Sequence, residues 1–172
     1  MFVVALAYLA FFTIALPPSM LGVAWPSIQL SFGVPLSAAG LVAPVGVATG
    51  LVSTSMAAGL TGRFGVGRVL AGGTLLSAVG LAGNGLSATW WQFLATVAVL
   101  GFAGGAIDAS LNAYAARWFG PGRMTMLHAC YGVGAALSPL IVTVTVAAGA
   151  GWRPAYLIVS GILAVVGVVF AV

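Results

Sequence analysis

Arg68-Val69-Leu-Ala-Gly-Gly-Thr-Leu-Leu-Ser-Ala-Val-Gly-Leu-Ala-Gly-Asn-Gly-Leu-Ser87 is the stretch that decides the fold. From Val69 to Ser87 it carries no charge and no proline. At 1.5 Å per residue this run spans about 28 Å as a helix, close to the thickness of a bilayer's hydrocarbon core. It does not alternate apolar and polar residues, so it is not a strand of a membrane β-barrel. It is predicted to be a transmembrane helix.

Working outward, charges and turn residues cut the rest of the chain into similar lengths. A first span is predicted over Val3–Trp25, interrupted by Pro17 and Pro18, and a second over Ser37–Leu60, containing Pro44. The stretch Val69–Ser87 is the third. The fourth runs Trp91–Ala116, the fifth Met124–Gly149 with Pro139, and the sixth Pro154–Val172. Interior prolines are tolerated in lipid because neighbouring helices support the freed backbone. The hydrophobic start lacks a basic stretch before it and is followed at once by further spans, so it reads as a span rather than a signal peptide. Gly62–Arg68, Phe119–Gly122 and Ala150–Arg153 are tight turns, which predicts antiparallel, adjacent neighbours in a single bundle over residues 1–172.

Composition supports this reading and excludes others. The 172 residues are 62% hydrophobic and 3% charged, and the mean hydropathy is +1.22. A soluble domain carries about 25% charged residues. The formal charges are Arg63, Arg68, Asp108, Arg117, Arg123 and Arg153. A net charge of +4 so thinly spread does not neutralise a phosphate backbone, so no nucleic-acid partner is expected. One cysteine and one histidine support neither a disulfide nor a multi-residue metal site, and no cofactor is implied. An intramembrane protease would need a serine facing a histidine at one depth, or an H-E-x-x-H motif. A channel would need a carbonyl filter or rings of charge. Neither pattern is present, and the chain is not expected to be an enzyme.

Arginine placement predicts the orientation. Arg63 and Arg68 lie in the second-to-third connection, and Arg117 and Arg123 flank the fourth-to-fifth. With six spans both fall on one side, leaving Arg153 on the other. Basic loops stay cytoplasmic, so both termini are predicted in the cytoplasm of a multi-pass cell-membrane protein. Trp25, Trp90, Trp91 and Trp152 then fall at the outer ends of spans, a preferred level for indoles.

Two motifs carry a family resemblance. Leu60-Thr-Gly-Arg63-Phe-Gly65-Val-Gly-Arg68 resembles the G-x-L-a-D-R-x-G-r-r loop of the major facilitator superfamily. Leu60, Arg63 and Gly65 match, and Arg68 falls in the basic cluster. Ala58 and Gly62 depart, the latter replacing an acid. Asp108-Ala-Ser-Leu-Asn112-Ala-Tyr114 is similar to the acidic-xxx-Asn-x-Tyr stretch in the fourth helix of fucose permease-like members. The run Leu127-His128 to Ser138-Pro139 resembles their fifth helix, in which glutamine more often stands at the His128 position. Gly22 stands where such members carry an embedded acid, and Ser138-Pro139 lacks the Gly-Gly that completes an antiporter signature. The resemblance implies an all-α integral membrane protein of six transmembrane helices, built as two inverted three-helix repeats, half of a twelve-helix fold. It implies a secondary active transporter, or half of one, moving a small solute such as a sugar or metabolite by alternating access, with proton coupling as an option. A second six-helix half, from the same full-length chain or a dimer, is the implied partner, along with the bilayer and the solute. The alternative is a truncated or half-size protein without transport of its own, serving as an assembly partner. The resemblance makes Leu60, Arg63, Gly65 and Arg68 a cytoplasmic gate loop.

Asp108 is the chain's only acid, placed mid-span. An acid there costs roughly 2.5–3.5 kcal/mol on insertion scales and normally faces a cavity or a partner. Burial would favour its neutral form, which makes it the candidate for proton coupling. Asn112, at i+4, shares its face. If spans four and five form a hairpin turning near Gly120, Asn112 faces His128 and Asp108 faces Gly132. Asn112, His128 and Tyr131 are the solute-binding candidates, with Tyr8 and Tyr114 as further lining residues.

Overall fold

The computed structural model describes residues 2–171. Six helices make up nearly all of them: α1 Phe2–Phe32, α2 Ala39–Phe64, α3 Val66–Leu86, α4 Trp90–Trp118, α5 Pro121–Ala147 and α6 Arg153–Ala171. One 3-10 turn, Leu36–Ala38, precedes α2, and there is no strand among the described residues. All six helices are long and apolar enough to cross a membrane. The last residue of the predicted sixth span, Val172, lies outside the described residues.

The largest boundary difference is in α1, which runs to Phe32 rather than closing at Trp25. Pro17, Pro18 and Pro26 all lie within it. Each proline removes one helical hydrogen bond, and packing by neighbouring helices keeps the rod continuous. The helix stops at Gly33, whose φ of 62° is left-handed. There the Val34 N–H donates to the Gln29 carbonyl at 3.1 Å, closing the end of the helix. Between α2 and α3 only Gly65 stands, with φ 81°. At the start of α4, Thr89 and Gln92 each accept from the other's backbone N–H, a capping box.

Sequence-adjacent helices are mostly not the packed neighbours, contrary to expectation. The extensive pairs are α1 with α5, α2 with α4, α3 with α6, and α3 with α4. Only the last is consecutive, and α4 and α5 do not form the predicted packed hairpin. A short turn fixes antiparallel direction but leaves two long helices free to splay. Small residues choose the partners instead, because they let backbones approach closely. Gly101 and Gly105 on α4 lie against the backbone of Gly46 and Gly50 on α2. Gly134 on α5 lies against the Phe12 carbonyl on α1, and Gly167 on α6 against Leu75 on α3.

The pairing pattern shows the inverted repeat. Exchanging unit α1–α3 for unit α4–α6 converts the α1–α5 pair into α4–α2, and maps α3–α6 onto itself. All three are among the extensive pairs. The α3–α4 pair departs from the symmetry, since its counterpart α6–α1 is slight.

Arg63, Arg68, Arg117 and Arg123 gather at one end of the bundle, where Trp118 also lies, and Trp25, Trp90, Trp91 and Trp152 gather with Arg153 at the other; each end has its own core. At the tryptophan end Trp25, Ile28, Leu81, Phe93, Trp152 and Tyr156 pack together. At the arginine end Phe11, Leu70, Ile107, Leu111 and Leu127 do so. The indoles at the span ends differ in how far they are buried. Trp152 is 2% exposed and Trp25 7%, against 72% for Trp91. Trp152 is held by edge-on contact with Tyr156 at 5.2 Å and by donating Nε1–H to Ser31 Oγ at 3.0 Å. A buried indole whose N–H finds a partner keeps its large apolar area inside without a polar penalty.

Candidate functional site

A cavity of about 800 Å³ lies between the two units. All the helices contribute to its wall, from Phe11, Pro17 and Pro18 on α1 to Tyr156 on α6. Asp108, Asn112, His128 and Tyr131 all line it. The geometry of α4 explains this. Ile107 and Leu111 are 3% and 1% exposed, and Gly73 on α3 packs on Ile107. With those two residues in the packed seam, Asp108 is turned about 100° away from Ile107, toward the cavity. It lies roughly 15 Å along the axis from Trp118 and about 27 Å from Trp90.

The carboxylate accepts a hydrogen bond from Asn112 Nδ2 at 2.9 Å. Asp108 is not buried, contrary to expectation; it is exposed on the cavity wall. His128 is also exposed and does not meet Asn112 as predicted. Its ring stands edge-on to Phe11, centroids 5.4 Å apart and planes at 88°. The cause is the packing of α5 on α1 instead of α4. Gly132 is not part of the cavity wall, and a Cβ there would meet nothing within 4 Å. Tyr131, 38% exposed, reaches the wall from α5. Tyr114 does not; it packs edge-on against Phe119 at 6.1 Å. Tyr8 packs against the arginine-end core.

Ser77, Asn84 and Tyr156 also line the cavity and were not singled out from the sequence. Asn84, 2% exposed, accepts a hydrogen bond from the Thr96 hydroxyl on α4. An amide between Gly83 and Gly85 in an apolar span is a signal that would have found it. Tyr156 carries no comparable mark. The loop residues Leu60, Arg63, Gly65 and Arg68 stand apart from the cavity, at the arginine end. Gly65 makes the turn, Arg63 lies over the Phe64 ring at 5.4 Å, and Arg68 is exposed.

A comparison with protein families matches the Major Facilitator Superfamily over residues 3–172. The chain belongs to the Major Facilitator Superfamily. No curated protein matches it in sequence. Facilitator superfamily members are transporters, and the six apolar helices make this chain a multi-pass membrane protein of that type. Its helices have the arrangement of one six-helix half of the facilitator fold.

Proposed function

We propose that this chain is one wall of a secondary active transporter that moves a small organic solute by alternating access and couples the movement to protons. The observation that carries the reading is the sole acid of the chain standing on the cavity wall with Asn112 as its hydrogen-bond donor. A carboxylate so placed can take a proton from either side as the cavity changes access. An acid within a membrane span is a functional position by default. Asn112, His128 and Tyr131 supply donors and acceptors for the solute beside it. A second six-helix half covers the polar wall, keeping it from lipid. Both termini lie in the cytoplasm of a cell membrane, with Leu60, Arg63, Gly65 and Arg68 forming a gate loop on that side. The likeness of α4 and α5 to fucose permease-like members supports a sugar or related metabolite as one solute class.

Asp108→Asn tests the coupling. In proteoliposomes the variant should lose uptake driven by an imposed pH gradient and keep equilibrium exchange, because exchange moves no net proton. Unchanged gradient-driven uptake would remove Asp108 from the coupling step. The chain without its second half should show no flux; transport by the monomer would contradict the two-half reading.

A further inference from the structure

On the side away from the cavity the bundle has a second opening. A crevice of about 450 Å³ lies between α5 and α6, with α1 as its floor. Leu140 and Val144 of α5 face Ile158 and Ile162 of α6 across it, and Phe12 and Leu16 of α1 lie beneath. Helical geometry turns the crevice from the cavity. Leu16 stands about 160° round α1 from Ile14 and Pro18, and Val144 about 140–160° round α5 from Tyr131 and His128. Those four comparison residues line the cavity.

The inverted repeat explains why the crevice exists. Its counterpart, the α3–α4 seam, is closed. There Gly73, Gly80 and Gly83 on α3 receive Ile107, Leu100 and Thr96 of α4 against bare backbone. The glycines of α6 are Gly161 and Gly167. A Cβ on Gly161 would meet nothing within 4 Å, and Gly167 packs on Leu75 of α3. Among the described residues, then, no glycine of α6 receives a side chain of α1, and the α1–α6 seam stays open. The α5 helix does not close it either, because it touches α6 only slightly.

The chemistry and size of the crevice select its occupant. Its one polar side chain is Thr145, whose hydroxyl already donates to the Val142 carbonyl at 3.0 Å. Floor and walls otherwise present hydrocarbon. A helix with its side chains is about 10 Å across, so a length matching Leu137–Thr145 displaces roughly 900 Å³, about twice the volume available. An acyl chain is slim and flexible enough to lie along the floor, and the bilayer that these six helices cross supplies such chains. Left empty, the crevice would forfeit dispersion contacts on three sides. In lipid those contacts, rather than the hydrophobic effect, hold helices together.

We infer that the crevice holds one acyl chain of a bilayer phospholipid, in place of the missing α1–α6 seam. The α6 helix is then joined to α1 and α5 through lipid. The inference does not depend on what the cavity carries.

The test uses the full-length protein in vesicles of phosphatidylcholine and phosphatidylglycerol. The probe is a phosphatidylcholine with a diazirine midway along one acyl chain; after irradiation, adducts are mapped by peptide mass spectrometry. The reference is the stretch around Val79 on α3, which is 65% exposed and about 160° round that helix from the cavity residue Ser77. Adducts at residues 137–145 and 158–162 should exceed those around Val79 by about tenfold, the signature of a held chain rather than passing lipid. Ile162→Trp, which fills the crevice, should remove that excess and leave labelling around Val79 unchanged. In native mass spectrometry the variant should retain one phospholipid fewer per protein than the parent. Equal labelling of crevice and reference would mean bulk lipid only and would overturn the inference. A crevice free of adducts beside a labelled Val79 would also overturn it, since protein would then cover the site. So would an excess that Ile162→Trp leaves intact. If Ile162→Trp fails to fold, Leu140→Trp fills the crevice from the opposite wall, and the comparison within the unmodified protein still decides.

Discussion

Gly104 and Gly105 are neighbours on α4 with opposite surroundings, and alanine at each separates packing from propensity. A Cβ on Gly105 would lie 2.8 Å from Gly50 Cα and also run into the Gly50 carbonyl and Ser53 Oγ on α2. Carbon atoms ordinarily meet at about 3.5–4.0 Å. The α2 and α4 backbones must therefore part by roughly 1 Å. Gaps of that size forfeit about a quarter to a half of the dispersion well at each contact they open. Overpacking of this kind costs about 1–3 kcal/mol. At about 2 kcal/mol the melting temperature falls by roughly 4–8 °C for a chain of this size. A Cβ on Gly104 meets nothing within 4 Å. Gly104→Ala should leave the melting temperature unchanged or raise it slightly, since alanine is the better helix former by about 0.5–1 kcal/mol. The assay is thermal unfolding in detergent, read by a thiol-reactive dye at Cys130, the single cysteine. It is only partly exposed in the fold. A Gly105→Ala protein as stable as the parent, or a larger loss from Gly104→Ala, would refute the close α2–α4 seam.

Other measurements test other parts of the structure. Cysteine introduced at Gly67 in a Cys130→Ala background should react only with reagent on the cytoplasmic side, and cysteine at Ala150 only from outside; the reverse would invert the proposed orientation. Arg153→Ala removes a charge-assisted hydrogen bond and two cation–π contacts, with Trp152 and Phe32. It should destabilise the fold by about 2 kcal/mol, with Arg153→Lys recovering part of that in the same melting assay. Thr96→Val leaves the buried Asn84 carbonyl without its donor. A loss of about 1–3 kcal/mol is expected, and a neutral result would mean that water replaces the hydroxyl.

The spans were legible in the sequence because length and continuous hydrophobicity are local properties. Val69–Ser87 sits within one or three residues of α3 at either end. The pairing of helices was not legible in the same way. A tight turn such as Gly65 specifies direction, whereas partners depend on which glycines present bare backbone to a distant helix. The Gly101–Gly46 contact joins residues far apart in the chain, and no local pattern announces it. This one misreading of adjacency moved His128 from Asn112 to Phe11 and removed Gly132 from the cavity wall. Asp108 and Asn112 were placed on one face correctly because the i, i+4 relation is internal to one helix. The exposure of Asp108 depends on how α4 is rotated against α3, which packing sets and helical periodicity alone does not.

Contacts within each three-helix unit are sparse, while the extensive pairs all cross between units. This bears on how the protein is made. When α1, α2 and α3 have entered the bilayer, each still lacks its main packing surface. α2 must await α4, α1 must await α5, and α3 is fully clasped only when α6 arrives. The first three helices should therefore remain loosely associated until the second three emerge, and assembly should be a late, concerted event. A chain stopped after Leu86 would span the membrane yet have no bundle to join.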